Sequence, residues 1–190
     1  MKTSLDFPRR QVLGFLEIAH LFEERDRREL RTITAFVHEN PDCLLRTNLA
    51  GHLTASAFVI DRERQHLLLI HHKALGRWLQ PGGHADGDPD LMAVARSEVF
   101  EETGLRELDP VTPRPFDLDI HSIPERKGIP AHLHYDVRFL FEANGSFVPT
   151  GNDREVHRVA WVPLSDLAAL GVDESVLRPA RRIGNLREEI

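Results

Sequence analysis

The chain has 190 residues, with 24 Lys+Arg against 30 Asp+Glu for a net charge of −6, and 41% of it is hydrophobic. That length and balance suit one folded domain with a small appendage, exclude disordered and collagen-like polymers, and argue against broad binding to a nucleic-acid backbone. The lone Cys43 cannot close an internal disulfide or build a Cys-rich zinc site, and neither a spanning apolar run nor a signal-peptide core is evident, so a cytoplasmic protein without a membrane partner is expected.

Two helices are expected to lead. Pro8 suits a first helical position, and Val12, Phe15, Leu16, Ala19 and Phe22 follow at helical spacing. Asp26-x-x-Glu29 reads as a capping box for a second helix with the stripe Leu30, Ile33, Val37, closed by Asn40-Pro41. Residues 1–45 thus read as a helical arm packed on a main domain of residues 46–190. Strands come next: 53–60 and 66–71 form a hairpin around Asp61-Arg62-Glu63-Arg64, and Trp78-Leu79 precedes a turn at Pro81-Gly82-Gly83. A helix is expected over 89–103, strands over 117–121, 132–141 and 156–162, and shorter helices over 165–170 and 175–183. Strands and helices mix without regular βαβ alternation, which favours α+β.

The helix over 89–103 has well-marked ends. Asp88 reads as N-cap, Pro89 as the first helical residue and Gly104 as the residue just past the end. Its interior is less comfortable, because Glu98, Glu101 and Glu102 crowd the C-terminus, where the helix dipole disfavours negative charge. Residues three and four apart are neighbours, so Glu98 faces both other carboxylates. A solvated acidic face is one reading. The other is a set of hard oxygen ligands for Mg²⁺ or Mn²⁺, with bare backbone carbonyls offered by the Gly82-Gly83 turn.

Gly83, the centre Glu98-Val99-Phe100-Glu101-Glu102 and the close Gly104-Leu105 together resemble the signature of the Nudix hydrolase family. Two positions depart from it: the family's first Glu falls on Pro89, between Asp88 and Asp90, and its Arg falls on Ser97, next to Arg96. The resemblance spans about residues 50–170. It implies an α+β Nudix fold, a mixed sheet sandwiched between helices, with the N-terminal arm outside it. It further implies water attack at phosphorus on a nucleoside diphosphate linked to another moiety. Mg²⁺ or Mn²⁺ would be held by Glu98, Glu101, Glu102 and the Gly82 carbonyl, with Glu98 as base. Some relatives take the base from a later loop; Glu155 is the candidate here and Asp153 its rival. The partner implied is a small, nucleotide-derived diphosphate, and a homodimer stays open. Two other readings stand beside this one. A non-enzymatic nucleotide sensor of the same fold draws support from Pro89 and Ser97. An isopentenyl diphosphate isomerase-like enzyme would need a cysteine near the active-site turn, which Cys43 is not.

Eleven histidines are many for this length. On the strand over 132–141, His132, His134, Asp136 and Arg138 share one face, and Asp117, Asp119 and His121 share a face on the strand before it. If the two strands pair, these faces either contact substrate, hold a second metal through His121, His132 and His134, or form the wet side of a sheet. Arg77, Lys73 and His84, around the glycine turn, are further candidates to meet phosphate. Trp78 is either a base-stacking residue or core.

Overall fold

Asp6 opens the first helix: its carboxylate accepts the Arg9 N–H at 3.0 Å, and Pro8 sits in the first turn of α1 (Phe7–Glu17). The computed structural model describes residues 6–19, 23–126, 128–151 and 156–186. The predicted positions Phe22, Asp153 and Glu155 lie outside them. Helix α2 (Glu24–Glu39) is capped one turn earlier than expected. Its capping box joins Glu23 to Asp26, because the Asp26 carboxylate accepts the Glu23 N–H at 3.1 Å.

The described residues gather into two compact units, one within residues 1–56, 82–95 and 112–139, the other within 57–81, 96–111 and 140–190. Three elements pass from one unit into the other: β1 (Gly51–Asp61), α3 (Leu91–Thr103) and β7 (His132–Ala143).

The first unit holds the arm and four strand segments. Phe36 of α2 stacks on Tyr135 at 4.0 Å between ring centroids, and Phe15 of α1 meets Phe139 edge-on at 5.8 Å. Ile33, Phe36 and Val37 are buried at helical spacing, so the predicted stripe faces the strands of this unit. β4 (Gly82–His84) pairs antiparallel with β1, setting Thr54 opposite His84 and Ser56 opposite Gly82. β7 runs beside β1 in the same direction, since the Leu133 N–H donates to Ala50 O and, farther along both strands, Thr54 and Ser56 bond Asp136. β6 (Asp117–Ile123) pairs antiparallel with β7.

The predicted glycine turn is therefore a strand. A side chain on Gly82 would come within 2.3 Å of the Ser56 Cβ, so only glycine allows β4 this close to β1.

In the second unit β2 (His66–His72) pairs antiparallel with the end of β1, with β3 (Arg77–Leu79) and with β8 (Val156–Pro163). Asp61 builds the expected hairpin turn, its carboxylate taking the N–H groups of Gln65 and His66 at 2.6 and 2.9 Å. β5 (Asp109–Pro110), too short to show a period, pairs with the end of β7. The helix expected over 165–170 is a single 3₁₀ turn, Leu164–Asp166, and α4 (Glu174–Leu186), with Pro179 inside, extends past the expected 175–183 at both ends.

Candidate functional site

Helix α3 starts two residues later than its sequence suggests. Asp88 is spent on a local turn, accepting the Asp90 N–H at 2.9 Å, and Asp90 caps instead, taking the Ala93 N–H at 3.1 Å. Thereafter one stripe changes character. Leu91, Val94 and Ala95 are buried apolar side chains, and the same side of the helix continues as Glu98 and Glu102. Helical geometry puts Glu98, Glu101 and Glu102 within about 100° of arc. Glu101 is exposed, Glu98 half-buried, and Glu102 only 3% exposed. A carboxylate this deep, on the last turn of a helix, is disfavoured by both burial and the dipole. A hard-oxygen donor set graded from exposed to buried fits Mg²⁺ or Mn²⁺. The helix stops where expected: Gly104 adopts φ +76°, and its N–H bonds Phe100 O at 2.9 Å.

Ser97, at the family's arginine position, is exposed. The neighbouring Arg96 lays its guanidinium over the Phe141 ring, 5.1 Å from the centroid.

In the first unit, strand register gathers the predicted polar residues on one face. His121 lies opposite His134, Asp119 opposite Asp136, and Asp117 opposite Arg138. His52, Thr54 and Ser56 of β1 and His84 of β4 belong to the same face. It has two ends of different chemistry.

At one end everything is charged and partnered. Arg138, 1% exposed, donates to Asp136 at 2.7 Å, Asp119 at 3.1 Å and Asp117 at 3.2 Å. Thr54 and Ser56 hydroxyls donate to the two Asp136 oxygens at 2.9 and 2.8 Å, and Arg25 of α2 donates to Asp119 at 2.5 Å. Burial pushes the Asp119 carboxyl up, but Arg138, His121 and Arg25 outweigh it and hold the group well below the usual carboxylate range. The expectation that Asp136 and Arg138 line an open substrate surface is corrected here. Both are buried, and their hydrogen-bonding capacity is committed to scaffold.

The other end is a cluster of imidazoles. His52 has its ring centroid 5.0 Å from His84, 5.0 Å from His132 and 4.8 Å from His134. His134 in turn lies 5.1 Å from His84, 5.2 Å from His132 and 5.4 Å from His121. Burial, reinforced by the neighbouring rings, lowers His84 to about 4 and His134 to about 2, and lowers His52 as well. These rings are neutral at pH 7. His52 is absent from the sequence expectations because the strand was started at Leu53; extending the alternation Ser56, Thr54 backwards reaches it.

The remaining candidates sit elsewhere. Arg77 is exposed and donates to Asp173 at 2.7 Å. His71, in β2, packs edge-on against Trp78 at 5.3 Å and near His157 at 5.7 Å. Cys43 is fully buried, and burial raises its thiol to about 11, which makes it a core residue and a poor nucleophile. No described helix is long and apolar enough to cross a membrane.

A model of the NUDIX domain matches residues 51–181. No curated protein sequence matches the chain. Among solved structures, it is similar to an Ap4A hydrolase from C. elegans in a binary complex (TM-score 0.59, 17% identity, over 73% of this chain and 98% of that one). It is also similar to a NUDIX-family hydrolase from Clostridium perfringens (0.55, 22%, 71% and 97%) and to the E. coli dihydroneopterin triphosphate pyrophosphohydrolase (0.54, 12%, 68% and 92%). At these identities the likeness speaks for the fold. The family match is broader in consequence: it runs from the first residue of β1 into α4, over more than half of the chain. The chain belongs to the NUDIX family.

Proposed function

We propose that the chain hydrolyses the diphosphate bond of a nucleoside diphosphate linked to another moiety, by divalent-metal-dependent attack of water at phosphorus. The observation that carries this is the stripe of α3 that turns from buried apolar side chains to carboxylates, ending in a nearly buried Glu102. Glu98, Glu101 and Glu102 are the proposed ligands, with the Gly82 carbonyl as a further one. Mg²⁺ or Mn²⁺ in that set neutralises phosphate oxygens and lowers the pKa of the attacking water. Glu98 is half-buried and is the proposed acceptor of that water's proton. Glu155, outside the described residues, is the alternative base. Arg77 would have to leave Asp173 to meet phosphate, while the half-buried rings of His84, His121, His132 and His134 offer ring nitrogens to the nucleotide end. Asp136 and Arg138 take no part in binding; they hold β6 and β7 in register.

The test is a panel of nucleotide diphosphate compounds assayed with Mg²⁺ and with Mn²⁺, wild type beside Glu102→Gln. The variant keeps its circular dichroism and loses about 10²–10³-fold in turnover, the scale of several kcal/mol of charge stabilisation. Product release that is equal in both proteins, or that persists in excess chelator, removes the trio from the reaction.

A further inference from the structure

Two buried ring nitrogens in the first unit have no hydrogen-bond partner, Nε2 of His52 and Nε2 of His134. Both residues belong to one constellation: His52, His132 and His134 each offer a ring nitrogen, and the three nitrogens lie within 4.8 Å of one another. We propose that His52, His132 and His134 form a binding site for a late first-row divalent cation such as Zn²⁺, distinct in donor chemistry from the carboxylates of α3.

The hydrogen bonds behind the rings fix what they present. A backbone carbonyl only accepts, so His52, 3.3 Å from Asn48 O, and His132, 2.8 Å from Pro130 O, both carry their proton on Nδ1. Each then turns a lone pair on Nε2 away from that carbonyl. This is the support expected behind a metal-ligating histidine, with the far nitrogen donating to a carbonyl or carboxylate and so setting tautomer and ring angle. His121 has the same support, its Nδ1 lying 3.1 Å from Asp119.

Distance sets the remaining requirement. Zn–N bonds of about 2.0–2.1 Å in tetrahedral geometry need nitrogens about 3.3 Å apart. The rings therefore close by rotation about their side-chain bonds. His52 is 2% exposed while His132 and His134 are half-buried, so the site is anchored at its base and open toward His132. A fourth position remains for a water or phosphate oxygen, or for His84, whose ring stands 5.0 Å from that of His52. Three imidazoles suit Zn²⁺ and its neighbours in the series better than Mg²⁺, which prefers oxygen. An anion-binding face would instead need protonated rings. The proposal does not depend on the hydrolase reading.

The test uses the full chain, free of any affinity tag, stripped with chelator and dialysed against Zn²⁺ at pH 7.5, with Co²⁺ as spectroscopic stand-in. One Zn²⁺ binds per chain, and Co²⁺ gives the intense visible bands of a four-coordinate site. His132→Ala, at the open side, weakens binding at least about tenfold, and His52→Ala/His134→Ala at least about a hundredfold. Glu98→Gln/Glu102→Gln leaves Zn²⁺ affinity within about threefold, because those oxygens are not the proposed donors. Should the double histidine variant fail to fold, His132→Ala decides alone. Absence of stoichiometric binding, affinity unchanged in His132→Ala, or Zn²⁺ lost in the glutamate variant and kept in the histidine ones each overturns the site.

Discussion

Arg138 and His134 stand four residues apart on the same face of β7, and their surroundings differ in kind. Around Arg138 every charge has its opposite: three aspartates meet one guanidinium, two hydroxyls complete Asp136, and Arg25 completes Asp119. Around His134 the groups are alike, all imidazoles, and incompletely partnered. Buried polarity that satisfies itself is scaffold. Buried polarity that leaves lone pairs over is unfinished, and a ligand can finish it.

This difference can be broken at its strongest point first. Arg138→Met leaves three buried carboxylates around a missing cation and costs about 3–5 kcal/mol in urea unfolding. If the loss is under about 1 kcal/mol, the ion network is not the scaffold described. Thr54→Val removes one donor to a buried, charged acceptor and costs about 1.5–3 kcal/mol by the same measurement. His134→Leu in chelator-treated protein changes stability by less than about 1 kcal/mol, since it deletes an unpartnered group together with its desolvation cost. A loss comparable to that of Arg138→Met would mean that the ring is already satisfied within the protein.

Acid separates the two ends of the face. His84 and His134 have folded values near 4 and 2 against about 6.5 unfolded, so between those limits the unfolded chain binds more protons. Stability therefore falls as pH drops below about 6.5, and His134→Leu flattens that fall. Asp119 has the same sign in a lower window: its folded value is depressed, so its contribution is full above the ordinary carboxylate range and is lost only below it. Melting curves of metal-free protein from pH 7 to 3 resolve the two phases. A stability that stays flat from 7 to 4.5 contradicts the neutral, buried imidazoles.

Much of this face was legible in the sequence. Strict alternation over 117–121 and 132–141 named the residues that share it, and the pairing then supplied the register that sets His121 opposite His134. Alternation reports a side and is silent on depth, which is why Asp136 and Arg138 read as an open surface and proved to be interior. His52 escaped because its strand was begun at the first apolar residue. Gly82 and Gly83 read as a turn because a three-residue strand has no period; what makes β4 a strand is the room a missing side chain leaves against Ser56. The carboxylate trio of α3 was the clearest signal, since like charges at helical spacing oppose local stability and point to something outside the chain.

That trio carries the central claim, and one paired measurement tests it most directly. Mn²⁺ binding is followed by electron paramagnetic resonance and product formation by chromatography of the two phosphomonoesters, in wild type and in Glu98→Gln under identical conditions. The account predicts that binding weakens at least about tenfold and turnover falls about a hundredfold or more in the same variant. A Glu98→Gln enzyme that binds Mn²⁺ and turns over like wild type would contradict it.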